Sequence, residues 1–168
     1  VNYVLQDGEI SATVLHDRYM QKSNGNSVRL PVAYVYPSKY TEKYLENENQ
    51  KVIAMFKSIG MENGTLFLQG CMENEVCFYE MGYRLNGAKQ YQILNDLCGF
   101  NPMEMIVNFS LTGKMEEHSI KPLVNPMLSK VCCTLSILAK PGYISKITGL
   151  DRIKALKETL AVTQWYKE

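Results

Sequence analysis

The stretch from Gly64 to Lys89 constrains this chain more than any other. Leu66, Phe67 and Leu68 lead into a strand, Glu73, Asn74 and Glu75 supply polar turn material, and Val76, Cys77, Phe78 and Tyr79 are β-prone and apolar before Glu80 interrupts them. A β-hairpin is the simplest reading. A carboxylate at the end of an otherwise apolar strand must face water or pair with a cation. If Asn74 and Glu75 form a two-residue turn, Gln69 lies directly opposite Glu80. One amide oxygen and one carboxylate would then project from the same face, about 5 Å apart at Cβ, within reach of one hard cation. If the turn is centred on Glu73 and Asn74 instead, Phe67 opposes Glu80 and the pair separates.

The run Gly64 to Gly70, followed by Phe78 to Gly87, resembles the carboxy-terminal half of an ATP-grasp domain, as in the carbamoyl-phosphate synthase large chain and related carboxylate–amine ligases. In that family a Gln or Glu on one strand and the Glu of an E-x-N-x-R sequence on the next hold the magnesium ions that bridge the ATP phosphates. The resemblance therefore implies that Gln69 and Glu80 are metal ligands. It also implies that Arg84 steadies the transferred phosphate or the acyl phosphate. Gly82 departs from the pattern, since the family usually has Asn there and one amide ligand is missing. Ala88 likewise follows Gly87 where a Gly-Gly pair is common. The chemistry behind such a site is electrostatic: phosphoryl transfer from ATP to a carboxylate crowds negative oxygens together, so cations and fixed donors are required. Magnesium takes a few carboxylate or amide oxygens along with phosphate and water.

Composition bounds the alternatives. At 168 residues, net charge +1, 46% apolar and 21% charged, the chain is ordinary globular material, enough for one core or two small subdomains. No run approaches ~18 consecutive apolar residues, and no signal peptide pattern is present, so no membrane association is expected. Five cysteines in mostly apolar or strand-like runs fit reduced thiols in a cytoplasmic protein better than a disulfide frame. A zinc site has little support, with no Cys-x-x-Cys pair and with His16 and His118 far apart. Tyr and Lys are scattered, so nucleic-acid binding is disfavoured. The chain opens at Val1 directly in a strand pattern. A whole ATP-grasp enzyme would begin with an α/β domain and a lid bearing a glycine-rich loop and a lysine, so a piece of a longer chain is expected.

Along the chain, Val1 to Leu5, the turn Asp7-Gly8 and Glu9 to Met20 read as strand, turn, strand. Asp17 and Arg18 read first as a solvated edge, with substrate contact as the second reading. Lys22 to Ser27 is a polar loop. By the family resemblance, Gln21, Lys22 and Ser23 would lie beside the nucleotide; a plain surface loop is the other reading. Val28 to Tyr36 reads as an edge or bulged strand with Pro31, and Ser38 or Thr41 caps a helix running to Ile59. Gly87 to Leu97 reads as a helix whose start would leave backbone N–H groups for an anion near Arg84, with Lys89 adding charge. Asn101-Pro102 opens the next helix, ending at Gly113. Lys130 to Leu138 reads as a buried strand, and Pro141 to Leu150 as turn, strand and turn into a short helix.

The expected fold is α+β: an antiparallel sheet with helices packed on one face, forming an ATP-grasp C-terminal subdomain over residues 1–113, with 114–168 continuing into a buried strand and the start of a further subdomain. The expected function is part of an ATP-dependent carboxylate–amine (or carboxylate–thiol) ligase that forms an acyl phosphate with Mg-ATP, the piece alone being inactive. Its partners would be ATP, a small carboxylate and the remainder of its own ATP-grasp chain; a homo-oligomer is possible. The alternative is a non-catalytic α+β interaction or scaffold domain with a degenerate ATP-grasp site, in which Glu80 and Arg84 form an ordinary salt bridge.

Overall fold

The computed structural model describes residues 1–22, 30–73, 75–138 and 142–163. The chain forms two compact units, Val1–Ser136 and Ile137–Glu168. The first unit is built on a four-stranded antiparallel sheet of strands β1 (Asn2–Gln6), β2 (Glu9–Val14), β5 (Gly64–Met72) and β6 (Val76–Gly82), in the order β2-β1-β5-β6. A three-stranded antiparallel sheet has the order β3 (Asp17–Met20), β4 (Pro31–Tyr36) and β7 (Cys132–Leu135). The architecture is α+β with antiparallel sheets, as the sequence implies.

Strand β1 is buried along its whole length. Its alternation explains why: Tyr3 and Leu5 join one core, with Phe56 and Leu66, whereas Val4 joins a second, with Ile93, Leu94 and Met105. Helices α1 (Thr41–Asn47) and α2 (Asn49–Ser58) cover the first face; α3 (Gln90–Cys98) and α4 (Pro102–Thr112) cover the other. The sheet thus carries helices on both faces rather than on one. Near the chain start no strand alternates cleanly between apolar and polar, because β1 has no solvated side. Each fully buried aromatic or aliphatic side chain in these cores contributes roughly 2–3 kcal/mol of transfer free energy. The buried polar groups of β1 are matched: the Tyr3 hydroxyl meets the Tyr44 hydroxyl at 2.6 Å and donates to Asn49 Oδ1 at 2.9 Å, and Gln6 Nε2 donates to the His118 carbonyl at 2.9 Å.

Several local expectations shift. The run from Glu9 to Met20 breaks after Val14, its second half entering the other sheet as β3. The helix expected up to Ile59 is interrupted at Glu48, where φ is −119° and ψ −33°. Helix α3 begins at Gln90, three residues beyond Gly87. Helix α4 matches its sequence signals: Asn101 accepts from the Met103 N–H, Pro102 takes the first position, and Gly113 ends it. Strand β7 is short and alternately exposed rather than buried, since it lies at a sheet edge. In the second unit the described residues from Tyr143 to Ile147 form no strand; its one described helix is α5 (Leu150–Lys154). No helix among the described residues is long and apolar enough to cross a membrane.

Candidate functional site

The β5–β6 hairpin follows neither simple register. Near the turn Met72 pairs with Val76, Cys71 with Cys77 and Gly70 with Phe78; the ladder then shifts, and Gln69 pairs with Glu80, Leu68 with Met81 and Phe67 with Gly82. Tyr79 is the extra residue of a β-bulge. Gly70 permits it, because a Cβ there would lie 2.7 Å from the Cys77 carbonyl oxygen. The one inserted residue shifts the register so that Gln69 comes opposite Glu80.

A cleft of about 350 Å³ lies between the hairpin, strands β3 and β4, and the loop before α3. Arg18 spans it. Its Nη1 donates to Gln69 Oε1 at 2.5 Å and its Nη2 to the Tyr79 hydroxyl at 2.6 Å. The charged pair at the start of β3 is therefore no idle edge: Arg18 reaches across the cleft, while Asp17 accepts from Ser38 Oγ at 2.6 Å and from the Lys39 N–H at 3.3 Å. The Tyr79 side of this network is legible only once the bulge is known, since without it Tyr79 alternates to the other face from Glu80 and its neighbours.

Of the residues singled out in the sequence, Gln69, Arg84 and Gly87 line this one cleft. Glu80 opposes Gln69 on the ladder but is exposed and is not part of the cleft wall. Glu80 and Arg84 do not form the ion pair of the scaffold reading. Arg84 instead lies over the Phe67 ring, 4.8 Å from its centroid, and donates to the Leu85 carbonyl at 2.9 Å. Gln21 and Lys22 are exposed at the end of β3, off the cleft wall, and Ser23 lies outside the described residues. Lys89 adopts a left-handed conformation, φ 54°, immediately before α3 and is also off the wall.

The loop carrying Gly87 is held from below by β1. Asn2 Oδ1 accepts from Asn86 Nδ2 and from Gln90 Nε2, both at 2.9 Å, and Asn86 Oδ1 in turn accepts from the Ala88 N–H at 2.7 Å. One N–H of the expected anion site is thus already used within the loop. Asn2 and Asn86 carried no motif, and only the proximity of β1 to the loop makes them a positioning pair. Among the described residues no group of three or more His, Cys, Asp and Glu could hold a metal ion.

His16 also lines the cleft, with its ring edge-on to Tyr34 and tilted against Tyr36, centroids 5.1 Å away in each case. Its Nδ1 is buried without a hydrogen-bond partner among the described residues. Burial, followed by the positive charges of the Val1 amino group and Arg18, pushes the imidazole down to about 3. An unfolded histidine titrates at about 6.5, so between these values the unfolded chain takes up a proton that the folded chain refuses. The contribution is fully present above about pH 6.5 and is lost as pH falls towards about 3. Urea unfolding of the wild type should show stability falling through this window, and His16→Phe should flatten that slope; parallel slopes in both proteins would contradict it.

No family model matches the chain, and no curated protein does. Solved structures do resemble it, among them the following two. An L-amino acid ligase from Bacillus licheniformis aligns with TM-score 0.65 at 19% identity, over 91% of this chain and 38% of its own. A phosphoribosylglycinamide synthetase from Anaerococcus prevotii aligns with TM-score 0.57 at 15% identity, over 68% of this chain and 28% of its own. At such identities the likeness is one of fold, and the fold is the one that the resemblance to ATP-grasp domains implied. The chain thus carries a part of the ATP-grasp fold, spanning well under half the length of either neighbour.

Proposed function

We propose that this chain supplies the metal- and phosphate-binding hairpin of an ATP-dependent carboxylate–amine or carboxylate–thiol ligase that works through an acyl phosphate. The observation that carries this reading is the direct cross-strand pairing of Gln69 with Glu80 beside a cleft that Arg84 also lines. The donors suit magnesium: all are oxygens, and Gln69 Oε1 already accepts from a cation, the Arg18 guanidinium. Gln69 and Glu80 would hold the ion, whose chemistry when bound is neutralisation of charge on the phosphate oxygens. Arg84 holds the γ-phosphate or the acyl phosphate through its guanidinium. Arg18, whose two bonds among the described residues are to neutral groups, is placed to exchange them for phosphate oxygens. By the resemblance, Gln21, Lys22 and Ser23 would lie beside the nucleotide and Lys89 would add charge near the phosphates, while of these loop residues it is Gly87 that lines the cleft.

Magnesium and ATP titrated calorimetrically into this chain should give weak, magnesium-dependent binding and no turnover. ATP binding that magnesium leaves unchanged would remove the metal pair, and turnover by this chain alone would overturn the incompleteness of its site.

One observation favours a second reading, a degenerate and non-catalytic ATP-grasp site. A Cβ at Gly82 would lie 2.4 Å from Phe67 Cε1, so the ring fills the space of the amide ligand usual in the family.

A further inference from the structure

We propose that Cys71, which lines the cleft, and its cross-strand partner Cys77 form a reversible dithiol–disulfide site, oxidised by low-molecular-weight disulfides. The two residues are direct cross-strand partners on β5 and β6, both exposed and both free thiols. Directly opposed residues of an antiparallel pair have Cα atoms about 4.5–5.5 Å apart. That spacing lies inside the window of about 4.4–6.8 Å that a disulfide spans without backbone movement. The strands are drawn tight beside the pair, where the Cys77 carbonyl approaches Gly70 too closely for any side chain at position 70.

The other thiols lack this arrangement. Cys132 and Cys133 are successive residues of β7 and point to opposite faces. Cys98 is half-buried in α3, where burial pushes its thiol up and depletes the reactive thiolate. The reaction proceeds by two exchanges. One thiolate of the pair attacks a sulfur of the small disulfide, forming a mixed disulfide and releasing one small thiolate. The second protein thiolate then attacks the protein sulfur of that bond and releases the other. The protein loses two electrons and the small disulfide gains them, each released thiolate taking up a proton. The closed ring would tie together Met72 and Val76, which line the cleft.

The test equilibrates the chain with mixtures of reduced and oxidised glutathione, followed by alkylation, digestion and mass spectrometry. No Lys or Arg lies between Lys57 and Arg84, so trypsin leaves both thiols on one peptide. That peptide should become two hydrogens lighter and resist alkylation as the mixture grows more oxidising. Further cleavage after Glu73 and Glu75 should give two pieces that separate only on reduction. Cys71→Ser and Cys77→Ser should each instead accumulate a glutathione adduct on the remaining thiol. The proposal is overturned if both thiols of the unsubstituted chain stay open to alkylation at every ratio, if glutathione adducts persist on them, or if they bridge to Cys98, Cys132 or Cys133. None of these results depends on whether the cleft binds ATP.

Discussion

Gly82→Asn, which introduces the residue that the ATP-grasp pattern has at this position, should destabilise the fold by roughly 2–4 kcal/mol. Gly82 pairs directly with Phe67, and a Cβ there would meet Phe67 Cε1 and Cζ at 2.4 and 2.5 Å. The ring cannot give way easily, because Phe67 is 2% exposed and Arg84 lies over it. A ring covering a cross-strand glycine is a close-packed unit, so the substitution forces either a strand shift or an off-rotamer aromatic. Urea unfolding checks the size of the loss. Phe67→Val removes the obstruction at its own cost of a few kcal/mol, and the double variant should be less destabilised than the sum of the singles by about 1 kcal/mol or more. Additive losses would mean that Phe67 and position 82 do not compete for the same space.

Glu80→Gln should separate the ligase reading from the scaffold reading. In the full-length protein the substitution should cut ligase activity by about 10²–10³, since it removes the only carboxylate of the proposed metal pair while keeping its shape. Stability should change by less than ~0.5 kcal/mol, because Glu80 is exposed and no ion pair reaches it among the described residues. Unchanged activity would leave the metal pair without a role; a large loss of stability would mean that the carboxylate supports the fold instead.

The hairpin, the Asp7-Gly8 turn and helix α4 were legible because their determinants are local: alternating β-prone residues, turn formers, and an Asn-Pro start with a glycine end. The opposition of Gln69 and Glu80 was legible too, although it arises by a different path from a two-residue turn. The register near the turn differs by one residue from that of a two-residue turn and is shifted back by a bulge at Tyr79, and such an offset leaves no trace in period-two patterning. Less visible was what β1 does. Its five residues alternate modestly in sequence, yet all are buried, because helices cover both faces of the sheet. The strand expected between Pro141 and Leu150 is absent from the described residues for the complementary reason: apolar, β-prone residues need a partner to form a ladder.

Local sequence specifies most element types of the first unit, the antiparallel pairing of its hairpins and the residue kinds available for phosphate chemistry, all properties that depend on neighbours within a few positions. Folding alone brings Arg18 to Gln69 and Tyr79, Asn2 to the Asn86 loop, and the Phe67 ring into the space beside Gly82. Those contacts join residues 51, 61 and 84 positions apart, or depend on a ring's position above a glycine, and no local spacing rule encodes which distant side chains a folded sheet will bring within 3 Å.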